Sequence, residues 1–309
     1  MRAIISTPDG LGRVRLDDVP EPLPAPDEAL VAVGAVSLNP GELALLRSRP
    51  AGWRPGQDLA GTVAVAARDG SGPAAGTRVV ALVEQAGWAE RVAVPVTRLA
   101  TLPDTVTDAQ AATLGIAGRT ALRTVALGGH LLGGRVLITG GGAVGEFQLQ
   151  LATAAGARVV AASRRPDAAK RLIAAGATDV VGAAGDAEGL FDLVLDTVGG
   201  RTLAAAVDKV APGGTVVLIG VSDPEPAALT LSDFFGHENA TIRAYFSYAD
   251  QAPVDRDLAT LAALVSDGRL TPPVSVQASW EAADEVLDAL AGGRVHGKAV
   301  LTLAGPTGV

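Results

Sequence analysis

Hydrophobic and polar positions change their period once along this chain, near Arg135. Up to about residue 115, short Val-rich runs alternate with Pro/Gly turns and predict strands at 3–6, 14–16, 29–36, 61–67, 78–82 and 89–94. The run Val19-Pro20-Glu21-Pro22-Leu23-Pro24-Ala25-Pro26 lacks the N–H groups of a central strand or helix, so it reads as an extended surface connection. Asn39-Pro40 opens a short helix, 41–47, with Glu42 in its first turn, and 107–113 and 119–127 are helical as well. Beyond Arg135, strands at 136–139, 158–162, 179–181, 192–196, 214–220 and 240–246 alternate with helices at 143–155, 166–174 and 201–209. That alternation predicts an α/β region built as a doubly wound parallel sheet. Helices at 254–267 and 280–291 follow, and 298–303 is a last strand returning to the first, mostly β domain. No internal repeat or low-complexity tail interrupts the pattern.

Composition narrows the function classes. The 309 residues suffice for two domains, each with a core, and 48% hydrophobic with 19% charged residues is a globular balance. A net charge of −8 and only 3% aromatic residues argue against nucleic-acid binding. There is no cysteine, hence no disulfide or thiolate chemistry. The start, MRAIISTPDG, reads as a strand and a turn rather than a signal peptide, and no apolar run is long enough to span a bilayer. A cytoplasmic protein without membrane association is the expectation.

The strongest chemical signal is VLITGGGAVGEFQLQLATAAGARVVAASRR, residues 136–165. An apolar strand runs into Gly140-x-Gly142-x-x-Gly145, an apolar-periodic helix follows through Val144, Phe147, Leu149, Leu151, Ala152 and Ala155, and a second strand comes after Gly156. In that context the motif predicts a dinucleotide site. Gly140 allows the turn, Gly142 lets backbone approach a pyrophosphate, Gly145 lets helix pack on strand, and Ala143 and Val144 begin a helix whose N–H groups face the phosphates. After the second strand, Ser163 stands where a carboxylate holds the ribose of NAD, and Arg164 and Arg165 follow. Pro166 reads as the first helical residue, so the two arginines oppose the helix dipole and a ligand phosphate would compensate them. The cofactor expected is NADPH.

Other chemistries lack their residues. No Gly-Lys-Ser/Thr follows the glycines, which removes a P-loop. The lysines are Lys170, Lys209 and Lys298, and neither Tyr245 nor Tyr248 has a lysine at Tyr-x-x-x-Lys spacing. Gly236-His237-Glu238 has no partner ligands nearby in sequence, so no metal site is expected.

Further segments carry a resemblance. Leu38-Asn39-Pro40-Gly41-Glu42, Pro55-Gly56-Gln57-Asp58-Leu59-Ala60-Gly61-Thr62-Val63, Gly76-Thr77-Arg78-Val79, Gly87-Trp88-Ala89-Glu90-Arg91-Val92, Gly118-Arg119-Thr120-Ala121, Asp196-Thr197-Val198-Gly199-Gly200 and Gly297-Lys298-Ala299-Val300 span the chain. Together with the fingerprint they resemble the medium-chain dehydrogenase/reductase superfamily, which holds zinc alcohol dehydrogenases and quinone oxidoreductases. The resemblance implies a GroES-like domain at 1–115 and 253–309, a Rossmann domain at 116–252 and an active site in the cleft between them. In zinc members the catalytic metal is held at positions that align with Asn39, Gln57 and Ile116, and the structural zinc lobe has no counterpart around 83–86. The chain therefore resembles the zinc-free, quinone oxidoreductase branch. Two features depart from that branch: the fingerprint has the shorter spacing of zinc alcohol dehydrogenases, and an apolar residue, Ala44 or a neighbour, replaces a tyrosine frequent after Asn-Pro.

By resemblance, Asn39, Thr120, Thr197, Val221 and Ser222 line the cofactor, and Phe246 and Ser247 lie beside its ring. Reducing a C=C conjugated to a carbonyl requires no metal, because the electrons end on the carbonyl oxygen, and the Asn39 amide is the candidate donor to it. No lysine, cysteine or paired tyrosine stands near the Asn39 or Gln57 segments, leaving Glu42 and Asp58 as the acids there. The expected activity is NADPH-dependent reduction of an enone, quinone or enoyl thioester. A zinc-free alcohol dehydrogenase or ketoreductase and a catalytically idle NADPH-binding protein are the alternatives. A homodimer pairing through the edge strand 241–246 is expected as well.

Overall fold

The computed structural model describes residues 1–7, 13–165 and 167–303. The turn expected after the first strand and the helix-opening role of Pro166 fall outside them. The chain divides into two compact units. One comprises Met1–Arg119, Ala252–Gly268 and the chain from Pro272 onward; the other comprises Thr120–Gln251 with Arg269–Thr271.

In the first unit, segments rich in Val, Ala and Leu build a seven-stranded sheet. Its path is Val274–Ser279, Lys298–Thr302, Glu28–Leu38, Asp58–Val65, Arg78–Leu82 and Leu99–Thr101, with Arg91–Pro95 also on Glu28–Leu38. Two pairings bring distant segments together: Leu38 lies opposite Ala299, and Ser37 opposite Asp58. Arg2–Ser6 and Val14–Asp18 form a separate two-stranded ribbon. Trp88, Leu59, Leu38 and Ile4 are fully enclosed in this unit's core. Arg119 is buried too, because its guanidinium donates to Asp257 and to the Ala252 carbonyl, each at 2.9 Å.

In the second unit, the strands Arg135–Thr139, Arg158–Ala162, Asp179–Val181, Phe191–Asp196, Val210–Leu218 and Thr241–Ala244 form one parallel sheet. Counted along the chain, their spatial order is 3-2-1-4-5-6, reversing at Arg135–Thr139. Such a reversal opens a crevice at the carboxyl ends of the strands where a ligand binds. The inner strands Arg135–Thr139, Arg158–Ala162 and Phe191–Asp196 are mostly apolar and buried, as expected of parallel strands connected by helices, here Ala143–Ala154, Ala168–Ala174 and Gly200–Val207.

The hydrophobic pattern located nearly every element, and its misses have physical reasons. Leu99–Thr101 is too short to show a period. Val274–Ser279 follows Pro272-Pro273 and carries three polar residues on its open face. Trp280–Ala282 is a 3-10 turn before the helix Ala283–Ala291 rather than its first turn. The edge strand stops at Ala244, leaving Phe246 and Ser247 in the following loop. The helix Ala143–Ala154 is buried on more than its apolar stripe, since Glu146 and Gln148 are also enclosed, while Ala155 is exposed. Gln148 gains a partner there, donating to Thr124 Oγ1 at 2.8 Å.

Phe147 is the largest fully buried side chain on that helix. Phe147→Ala should cost about 3–5 kcal/mol, read as a lower urea midpoint at unchanged slope.

Candidate functional site

The fingerprint turn occupies the switch point of the parallel sheet. Gly140 has φ +88°, a conformation that L-residues with a side chain rarely adopt. A methyl group at Gly145 would stand 2.1 Å from the Gly140 carbonyl oxygen, so close helix–strand contact requires glycine there. At Gly142, by contrast, an added methyl would meet nothing within 4 Å, and the residue is exposed. The backbone is thus open at one point of the turn, directly before Ala143 and Val144, both half-buried, begin a twelve-residue helix. These residues fit a dinucleotide pyrophosphate, with uncommitted first-turn N–H groups as its donors.

Neighbouring strand ends hold the turn. Thr197 donates from Oγ1 to the Thr139 carbonyl at 2.6 Å. Asp196, fully buried, accepts from Thr139 Oγ1, from Val198 N at 3.2 Å and from Gly199 N at 2.9 Å. Burial pushes the Asp196 carboxyl above its ordinary value, against the pull of these bonds. Thr120 is buried at the start of its helix, its carbonyl accepting from Thr124 Oγ1 at 2.7 Å. Val221, Ser222 and Phe246 are exposed and Ser247 half-exposed; the Phe246 ring lies 5.6 Å from that of Tyr248.

The arginine pair divides. Ser163 lies just past its strand, its backbone N–H bonded to Val181 O at 2.9 Å. Arg165 bonds Asp167 at 2.9 Å, so part of the compensation expected from a ligand phosphate comes from this chain's own carboxylate. Arg164 is exposed. A third arginine, missed in the sequence, reaches the turn itself: Arg171 donates to the Gly141 carbonyl at 2.9 Å and pairs with Glu146. It lies thirty positions from Gly141, with no motif to announce it.

The first unit contains a buried polar cluster around Asn39. Asn39 is the N-cap of helix Pro40–Ser48, and Glu42 closes back on its N–H at 2.8 Å. The Asn39 side chain is diverted elsewhere: Nδ2 donates to Asp58 Oδ2 at 2.8 Å, and Oδ1 accepts from Lys298 Nζ at 2.6 Å. Asp58 also accepts from Ser37 Oγ at 2.8 Å, Ile116 N at 2.7 Å and Lys298 Nζ at 3.3 Å. Glu42 takes a further bond from Gln57 N at 3.1 Å. Ile116 sits in a single π-helical turn, Leu114–Gly118, which turns its N–H toward Asp58.

The expectation that no lysine stands near the Asn39 segment is corrected by Lys298, brought in by the pairing of Leu38 with Ala299. The signal was the strand Gly297-Lys298-Ala299-Val300, but its register was not legible. At Asn39, Gln57 and Ile116, which the resemblance sets against zinc ligands, stand two carboxamides and an alkyl group, and the Asn39 oxygen already binds an ammonium that would repel a dication. This donor set does not fit zinc. Among the described residues, no three His, Asp or Glu side chains converge as a metal site. His237 instead has Nδ1 2.6 Å from the Val210 carbonyl.

A family profile described as zinc-binding dehydrogenase matches residues 155–301. The chain is 34% identical over 295 residues to the spectinabilin polyketide synthase system protein NorB of Streptomyces orinoci; the match takes in 90% of this chain and only 13% of that much longer protein. It is 25% identical over 307 residues to mouse quinone oxidoreductase, covering 93% of this chain and 92% of the relative. It is also 25% identical over 334 residues to the acryloyl-coenzyme A reductase of Sulfurisphaera tokodaii, covering 92% and 95%. Among solved structures, an alcohol dehydrogenase superfamily protein from Novosphingobium aromaticivorans superposes with a TM-score of 0.88 at 28% identity, over 98% of this chain and all of that one.

Burial, and next to it the Asp58 carboxylate, push the Glu42 carboxyl from 4.5 up to about 8, while Lys298 and two backbone N–H groups pull the other way. Folded Glu42 therefore keeps its proton across an interval, about 4.5 to 8, in which unfolded Glu42 has lost it. Its contribution to stability is fully present below that interval and is lost as pH rises through it. In urea melts, the midpoint of the native protein should fall steadily relative to that of E42Q from pH 4.5 to 8 and level off above. A difference independent of pH would contradict this.

Proposed function

We propose that this chain, a quinone oxidoreductase-like medium-chain dehydrogenase/reductase, is an NADPH-dependent, zinc-free reductase of a C=C bond conjugated to a carbonyl. The observation that carries the reading is the Asn39–Asp58–Lys298 cluster, in which Asp58 and Lys298 fix the Asn39 amide and leave it one further N–H to donate. Relatives named quinone oxidoreductase and acryloyl-coenzyme A reductase support the same chemistry.

NADPH, when bound, supplies a hydride to the β-carbon of the substrate. The fingerprint Gly140–Gly145 and the N-terminus of helix Ala143–Ala154 hold the pyrophosphate. Thr197 and Thr120 keep the strand and helix ends around it in place through their bonds to Thr139 and Thr124. Arg164, with Ser163 and Arg165, faces the 2′-phosphate. Val221, Ser222, Phe246 and Ser247 border the nicotinamide. Asn39 keeps one amide hydrogen beyond the one given to Asp58, and donates it to the carbonyl oxygen as charge develops there. Water delivers the proton to the α-carbon. In this reading residues 1–115 with 253–309 carry the substrate groups and 116–252 the cofactor groups. The strand Thr241–Ala244, exposed along its whole length, pairs with a second copy in a homodimer.

The test is the destination of label from 4-deuterated NADPH, offered with an enone, a quinone and an enoyl thioester. Deuterium should appear at the β-carbon of the saturated product. Label on a carbonyl carbon, with the C=C intact and an alcohol formed, would overturn the reading in favour of a ketoreductase.

The two arginines should differ. Arg164→Ala should weaken NADPH binding by about 1–3 kcal/mol and leave NADH untouched. Arg165→Ala should cost less, because Asp167 already holds that side chain. Titrations of both nucleotides against each variant check this.

A further inference from the structure

Lys298 and Asp58 are a buried ion pair, and in the chemistry described so far neither side chain acts on the substrate itself. The ammonium has three N–H groups and three acceptors: Asn39 Oδ1 at 2.6 Å, Leu38 O at 3.0 Å and Asp58 Oδ2 at 3.3 Å. Stability alone does not require a charge here, since a buried ion pair replaced as a whole by apolar residues is often no loss. The arrangement does determine one thing about Asn39. A carboxamide can be placed either way round, and a flipped one would set its NH2 against the ammonium and its oxygen against the carboxylate. Lys298 and Asp58 therefore allow only one orientation. In that orientation the cation pulls electron density through Oδ1 and makes the amide hydrogens at Nδ2 stronger donors.

We propose that Lys298 is an internal cation that orients and polarises the Asn39 amide, so that a lysine charge, relayed through one carboxamide, stabilises the substrate oxygen where zinc members use a metal. The proposal rests on the reading of Asn39 as the donor to that oxygen. Lys298 itself does not touch substrate; it is a positioning residue, and the bond making and breaking stay those of hydride and proton addition.

Nuclear magnetic resonance tests the relay without any substrate. The chain has three lysines, Lys170, Lys209 and Lys298, so 15N-lysine labelling gives three side-chain signals. The Lys298 ammonium protons should exchange slowly with water and show correlations to the Asn39 amide. In K298M the Asn39 side-chain amide signals should shift, and in K298R they should move less. Kinetics with methyl vinyl ketone and NADPH supply the second readout. K298M should lower kcat about tenfold while KM stays within about twofold, and K298R should recover part of the loss. N39A separates the two ideas. If N39A keeps its kcat, the donor role of Asn39 is wrong and the relay falls with it. If N39A loses kcat while K298M does not, the relay alone is wrong. Should K298M not fold, the native protein and K298R still decide: a Lys298 ammonium in fast exchange, or without correlation to Asn39, overturns the proposal.

Discussion

A buried ammonium must be surrounded by oxygen, and that requirement organises the first unit. Moving Lys298 out of water costs several kcal/mol unless every N–H finds an acceptor. The three acceptors come from the end of strand Glu28–Leu38, the helix cap at Asn39 and the start of strand Asp58–Val65. Asp58 in turn needs donors for its lone pairs and finds them on Ser37, Asn39 and the π-helical turn at Ile116. Each bond ties together segments far apart in sequence. Sheet register, helix cap and turn are therefore mutually dependent, and shifting any one strands a charge.

Glu42 shows the cost of packing two carboxylates beside one cation. It performs an ordinary task, closing the N-terminus of helix Pro40–Ser48 on the Asn39 N–H. Burial beside Asp58 nevertheless raises its pKa to about 8, so near neutral pH the cluster tends to hold one proton and stays close to balanced. The helix cap thereby becomes part of the electrostatics of the site.

The second unit solves a different problem with backbone rather than charge. Openness of the main chain at Gly142 is bounded by tight contacts at Gly140 and Gly145, the combination of access and rigidity that a pyrophosphate site would require. The buried Asp196 carboxylate locks the adjacent strand ends, and Arg171 offsets the Glu146 charge in the first helical turn. Glu146 is buried beside a turn suited to an anion, and its pairing with Arg171 keeps that carboxylate from opposing one.

The elements and the dinucleotide fingerprint were legible along the chain, because both depend on local rules. Period-2 alternation, the switch to strand–helix repeats at Arg135, Pro and Gly punctuation, and three glycines at fixed spacing act over a few residues each. The resemblance, not any local pattern, singled out Asn39, Gln57 and Ile116 as the positions to compare with zinc ligands. What local pattern could not carry was pairing. Nothing near Asn39 announces that Lys298, 259 positions away, will stand 2.6 Å from its side chain; that follows from the register of Leu38 on Ala299, set by the packing of a whole sheet. Arg171 at the fingerprint, thirty positions from Gly141, was hidden in the same way. The sequence by itself determined the strand–turn–helix at the three spaced glycines. The tertiary structure decided which charges surround it and which surround Asn39, because electrostatic partners are chosen by distance in space, and distance in space is a property of the folded sheet.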